Sequence, residues 1–270
     1  MKQNGEKMKI ALSQTEIRWE EKQYNLVKAE GFIKDASQKK ADMILFPEMS
    51  FTGFSMHVSV TQDTANETLD HIKHMAIKYK IGIGFGWVKK NHEDAENHYT
   101  IVDDLGEASS DYIKIHSFSY AGEDKYFKHG DKISLFKIKD VWMSTFICYD
   151  LRFPEIFQAA SDKASILIVP ANWPAARKEH WRCLLRARAI ENQCYIIGVN
   201  CVGRQGKADY AGNSCVINPV GETIYEMADK EELYICEIKN DVFEYRAGFP
   251  AKKDRMVELY KQLEHNLDNI

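Results

Sequence analysis

Apolar residues in this chain gather into short runs, and the rhythm of the runs separates two kinds of element. "KIALSQT", "DMILFPE", "IGIGFGWV", "WMSTFICYD", "SILIVPAN", "CYIIGVNCV" and "ELYICEI" are nearly continuous in Ile, Val, Leu and Phe, with "HYTIVDD" and "NSCVINP" alongside them. Runs without strict alternation predict strands covered on both faces or facing a second sheet. Other segments follow a helical period. "EEKQYNLVKAEGFIKDASQKK" puts Tyr24, Val27, Phe32 and Ile33 on one stripe, and "TANETLDHIKHMAIKYK" does so with Leu69, Ile72, Met75 and Ile77. "AARKEHWRCLLRARAIENQ", preceded by Pro174, predicts a third long helix. The order is β-α-β-α-β, a strand-rich middle, then β-α-β-α-β and further strands. It predicts one layered α/β domain over 1–270. No Pro/Gly linker, repeat or low-complexity stretch interrupts it. From about residue 241 a charged tail ends in a helical pattern, expected to pack over the body or over a partner subunit.

Gly82, Gly84 and Gly86 stand at alternate positions in "IGIGFGW". The spacing is not that of a phosphate loop and no helix follows directly, so the expectation is a strand approached closely by other backbone. "EDAENH" and "KHGDK" read as polar loops, and the histidines at 92, 98, 116, 129 and 180 form no tight ligand set, so no metal site is expected.

Composition then removes whole classes. With 44% hydrophobic and 28% charged residues the chain is neither disordered nor fibrous, and 270 residues can bury one large core. A net charge of −4 gives no reason to expect nucleic acid. Apolar runs fall short of a membrane span, and the N-terminal stretch lacks the long apolar segment of an export signal, so a cytoplasmic protein is expected. The six cysteines lie at 148, 183, 194, 201, 215 and 236 without a C-x-x-C pair. In a reducing compartment five of them read as buried core thiols. Only Cys148 has a distinctive context.

Three reactive residues share one setting, the C-terminal end of a predicted strand, where ligand sites collect in open α/β sheets. Glu48 follows "DMILFP" among Phe46, Phe51 and Phe54, an apolar cage suited to a general base; a strand-end salt bridge is the structural alternative. Lys114 closes "DYIK", where a fixed ammonium would stabilise an oxyanion, or would simply be an exposed lysine. Cys148 ends "WMSTFIC", and the helix predicted from "LRFPEIFQAA" would favour its thiolate, as in a nucleophile elbow; a core thiol is the alternative.

Taken together, "LFPEMSFTGF", "YIKIHSF" and "FICYDLRFPEIF", followed by "VPANWPAARKEHWRCLLRARAIENQCYIIGVNCVG" and "YAGNSCVINPVGE", resemble the nitrilase superfamily of carbon-nitrogen hydrolases across essentially the whole chain. The wording "CYDLRFP" and "ANWPA" is most similar to its bacterial omega-amidase-like branch. The resemblance implies a four-layer α-β-β-α sandwich and a Glu-Lys-Cys triad. Cys148 would attack an amide carbonyl, Glu48 would carry the thiol proton to departing ammonia, and Lys114 with the Tyr149 backbone N–H would hold the oxyanion. Glu123, in "SYAGEDKYFKHGD", matches the glutamate that orients the lysine and the substrate amide. The substrate implied is a small acid with a terminal amide, such as 2-oxoglutaramate, and no cofactor is needed. Arg152 is the candidate for its carboxylate, unless it pairs with Glu155; Trp173 and Phe54 would wall the pocket, unless they are core aromatics. Relatives of this kind commonly dimerise, and "HWRCLLRARAIENQ" offers a face for a homodimer. Hydrolysis of an N-carbamoyl amine or a nitrile is the alternative within the superfamily, and a non-catalytic binding protein on the same fold is the alternative outside it.

Overall fold

The near-continuous apolar runs become two sheets laid face to face. In a computed structural model that describes residues 7–239 and 241–267, the first half of the chain runs β1 (Met8–Gln14), α1 (Lys22–Gln38), β2 (Met43–Leu45), α2 (Val58–Thr61), β3 (Gln62–Asp63), α3 (Glu67–Tyr79), β4 (Gly82–Asn91), β5 (Asp94–Val102), β6 (Ala108–Ile113) and β7 (Phe127–Lys128). The second half runs β8 (Leu135–Ile138), β9 (Val141–Thr145), α4 (Pro154–Ala160), β10 (Ile166–Ala171), α5 (Lys178–Asn192), β11 (Tyr195–Asn200), β12 (Val202–Gln205), β13 (Ala208–Ala211), β14 (Cys215–Ile217), β15 (Thr223–Glu226) and β16 (Glu232–Ile238). Helices α6 (Val242–Gly248) and α7 (Val257–Leu267) close the described chain. One sheet has the order β16-β1-β2-β4-β5-β6, the other β15-β14-β11-β10-β9-β8. Strand β16 crosses back to pair antiparallel with β1 and forms the outer strand of the first sheet.

Both faces of these strands are apolar because both are covered. Ile10, Leu12, Met43 and Leu45 join a core shared with Phe146, Ile168 and Ile197 of the second sheet. The intervening Ala11 and Ile44 point the other way, into a core with Leu26 and Ile33 of α1 and Ile72 of α3. On the far side α5 lies on β11, where a β carbon on Gly198 would come within 2.6 Å of Leu185 and 2.7 Å of Trp181. The result is the four-layer α-β-β-α sandwich.

Several local expectations shift. In α1 the buried stripe is Leu26, Ala29, Ile33 and Ala36 with Asn25, while Val27 is 72% exposed and Tyr24 lies outside under the Arg18 guanidinium. Small alanines permit close helix-sheet contact and define the face better than the bulkier Tyr24 and Val27. Ile77 of α3 is likewise exposed, its side chain lying over Gly106. "EDAENH" is not a loop, since β5 begins at Asp94 and passes through it. Of the five cysteines expected in the core, Cys194, Cys201, Cys215 and Cys236 are buried but Cys183 is exposed on α5. Arg246 of α6 ties the tail to the body, donating to the carbonyls of Gln193, Ala164 and Asn192, whereas Met256, Tyr260 and Leu263 around α7 are exposed. Among the described residues no helix is long and apolar enough to cross a membrane.

Candidate active site

Four chain segments meet where the strands of both sheets end. Glu48 sits in a turn just past β2. Phe46 N–H donates to Gly84 O, Ser50 N–H to Gly86 O, and Gly86 N–H returns a bond to Ser50 Oγ, so the turn is laced to β4. The alternating glycines make this possible. A β carbon on Gly86 would stand 2.3 Å from the Met49 nitrogen. Lys114 continues β6, its N–H donating to Asn97 O and its own carbonyl accepting from Gly130 N–H. Glu123 opens a short 3-10 turn and accepts from the Phe118 N–H.

These three side chains are buried and converge. Lys114 Nζ lies 2.8 Å from Glu48 Oε1 and 3.0 and 2.9 Å from the two oxygens of Glu123. Burial alone would lower the lysine pKa, yet Glu123 and Glu48 together raise it above its ordinary value, so it stays an ammonium. Glu123 is pushed upward, chiefly by burial and partly by Glu48, against the pull of Lys114. Glu48 is not in a plain apolar cage. It accepts from Asn97 Nδ2 at 2.9 Å and from Asn172 N–H at 3.0 Å, and Asn172 Nδ2 holds its backbone carbonyl. Neither asparagine stood out in the sequence. Asn97 lay in a segment read as a loop, and Asn172 within a motif read for its tryptophan.

Cys148 follows β9 as expected but does not open an α-helix directly. The chain passes through a 3-10 turn over Cys148–Arg152 before α4 starts at Pro154. Cys148 has φ +46°, a left-handed conformation that costs a non-glycine residue about 1–2 kcal/mol. Asp150, fully buried, holds the turn. Its carboxylate accepts from the Ile147 N–H at 2.9 Å, Tyr112 OH at 2.8 Å, and the His116 N–H and Nδ1 at 2.9 and 2.8 Å. Burial first, then the Glu48 charge, push the thiol pKa well up while Lys114 opposes them. The helix whose dipole was expected to favour the thiolate is set back from the sulfur by this turn.

The thiol and Lys114 line a pocket of about 410 Å³ including its open mouth, and Phe54, Tyr149, Arg152 and Trp173 line the same pocket. Trp173 is fixed through its N–H to Asn200 Oδ1 and its Nε1 to the Arg177 carbonyl. Among the described residues Arg152 pairs with no carboxylate; its guanidinium lies 4.9 Å from the Trp173 ring centre and 3.4 Å from His180 Nδ1. Phe118, Tyr210 and Arg177 also line the pocket, and no local motif singles them out. A thiol beside a carboxylate and an ammonium can move a proton from sulfur to Glu48 as negative charge builds on a bound carbonyl oxygen.

A thiol, two carboxylates and a lysine thus meet at the strand ends of an α-β-β-α sandwich, and the chain belongs to the carbon-nitrogen hydrolase family, whose model matches residues 9–247. It is 33% identical over 259 residues to the 2-oxoglutaramate amidase of Bacillus subtilis, covering 94% of this chain and 100% of that one. It is 32% identical over 251 residues to omega-amidase YafV of Escherichia coli K12, covering 92% and 96% respectively. Among solved structures, XC1258 from Xanthomonas campestris, a CN-hydrolase superfamily protein with an arsenic adduct in its active site, superposes with a TM-score of 0.87 at 28% identity over 93% of this chain and 97% of that one. An amidase from Nesterenkonia shares the fold with a TM-score of 0.87 at 23% identity, over 96% and 98%.

Proposed function

We propose that this protein is an omega-amidase that releases ammonia from the terminal amide of a small dicarboxylic acid such as 2-oxoglutaramate. The observation that carries the reading is the Lys114 ammonium held between Glu48 and Glu123 beside the Cys148 thiol in one pocket. Cys148 Sγ attacks the amide carbon as Glu48 takes the thiol proton. Lys114 and the Tyr149 N–H hold the oxyanion, and Glu123 orients the lysine and the substrate amide. Collapse expels ammonia with the proton from Glu48 and leaves a thioester. Glu48 then takes a proton from water, hydroxide adds to the thioester carbon, and collapse restores the thiol and yields the acid. Arg152 meets the substrate carboxylate, with Trp173 and Phe54 as walls. The names of the Bacillus subtilis and Escherichia coli relatives support this substrate class.

We also read residues 1–270 as one hydrolase domain with a tail from about 241, acting in the cytoplasm as a homodimer. The outer face of α5, where Ile190 is 51% exposed and Arg186 and Cys183 line a groove with β14 and β15, is the surface we assign to the second subunit. Light scattering of the purified protein tests this, and Ile190→Glu should shift it toward a monomer.

Ammonia release from 2-oxoglutaramate, glutamine, an N-carbamoyl amine and an aliphatic nitrile tests the activity. Turnover of 2-oxoglutaramate is the expected result. Turnover confined to the nitrile or the carbamoyl compound would replace the amidase reading, and silence across a wider panel of amides would favour a non-catalytic role.

A further inference from the structure

Arg177 lines the same pocket as Cys148, and its charge is unaccounted for. It ends the 3-10 turn Ala175–Arg177 between β10 and α5. Its backbone is fixed at both ends, with its N–H donating to Pro174 O at 3.0 Å and its carbonyl accepting from Trp173 Nε1 at 2.8 Å. The guanidinium lies against the loop that carries Glu123, 5.7 Å from the Phe118 ring centre and 5.4 Å from that of Tyr120. Arg152 lies near the Tyr149 and Trp173 rings in the same pocket.

Among the described residues neither guanidinium has a carboxylate partner, and both line the pocket with Cys148. The acidic groups nearby, Glu48 and Glu123, are already committed to Lys114. A partly buried charge is costly unless something meets it. An aromatic face orients a guanidinium without meeting its N–H edge, the edge that matches a carboxylate; Arg152 spends one N–H of that edge on His180 Nδ1 at 3.4 Å, and among the described residues the Arg177 edge meets no acceptor. Two guanidiniums lining one pocket exceed what a neutral amide calls for. They suit an acyl group that ends in an anion.

We propose that Arg177 is a specificity-determining residue that, with Arg152, forms a two-guanidinium subsite for the carboxylate at the far end of the acyl group. The inference rests on the amidase reading above and deepens it. Arg177 binds the substrate equally in its ground and transition states, so its removal acts on affinity and leaves the chemical step in place.

The test compares succinamate with butyramide, a neutral amide of the same carbon count, in the wild-type protein and in Arg177→Met and Arg177→Lys. Wild type is expected to favour succinamate by about 100-fold or more in kcat/KM. Arg177→Met should lower kcat/KM for succinamate roughly 10- to 100-fold, mainly through KM, and change butyramide less than about threefold, with Arg177→Lys in between. Unchanged butyramide turnover shows the variant is folded with its catalytic groups in place. If wild type shows no preference for succinamate, the anionic-substrate reading fails and this inference with it. If wild type prefers succinamate and Arg177→Met keeps that preference, or loses both substrates equally, only the role of Arg177 is overturned.

Discussion

Gly86 passes directly beneath Glu48: a β carbon on Gly86 would lie 2.9 Å from the Glu48 carbonyl carbon, and 2.3 Å from the next nitrogen. The carboxylate can sit where Lys114 reaches it only because the neighbouring strand has no side chain there. Gly86→Ala should therefore displace the turn. Overpacking of this kind costs about 1–3 kcal/mol, and turnover should fall more than tenfold. Thermal denaturation with kinetics on the same sample checks both; a variant of undiminished activity would show that the turn shifts without consequence.

Asp150 should matter more for rate than for affinity. Its carboxylate gathers donors from Ile147, Tyr112 and His116, and so joins the cysteine turn to the segment after Lys114. Asp150→Asn keeps the shape but places an NH2 against donors. We expect kcat to drop roughly 10- to 100-fold with KM within about threefold, and iodoacetamide to alkylate Cys148 more slowly. Normal alkylation and kcat in a merely less stable protein would reduce Asp150 to a packing residue.

The thiol itself gives a signed prediction. Glu48 raises the Cys148 pKa and Lys114 lowers it. In Glu48→Gln the raising charge is gone and the lowering one remains, so the thiol pKa should fall below the wild-type value even as turnover drops by about 10³ or more. Thiolate absorbance followed across pH reads this directly. An unchanged or higher pKa would mean that Glu48 does not act on the sulfur. Cys148→Ala should abolish turnover while keeping the fold.

Alkaline pH should destabilise the protein through its buried core. Lys114, Tyr99 and Tyr112 all have folded pKa values raised above their ordinary ones, the lysine mainly by Glu123 and Glu48 against burial, the tyrosines mainly by burial. Each then favours folding while protonated. That stability is fully present below the unfolded values of about 10 and is lost progressively as pH rises above them. Denaturant midpoints between pH 8 and pH 11 should stay level and then fall; Lys114→Met should flatten part of the fall.

The linear chain determined the elements and the reactive residue types. Continuous apolar runs could be read as doubly covered strands because every residue of such a strand meets a core, as Ile10 and Ala11 do on opposite faces of β1. The alternating glycines could be read as close approach, which Gly84 and Gly86 show. Glu48, Lys114, Cys148 and Glu123 were legible from the motifs around them. Tertiary structure alone decided what surrounds them. Asn97 and Asn172 reach Glu48 across 49 and 124 positions of chain, and Arg177 reaches the pocket from the loop after β10. Local periodicity carries no information about such meetings, because sheet order and register set them. The same limit explains α1, where spacing predicted a helix but only the sheet beneath selected Leu26 and Ala29 over Val27.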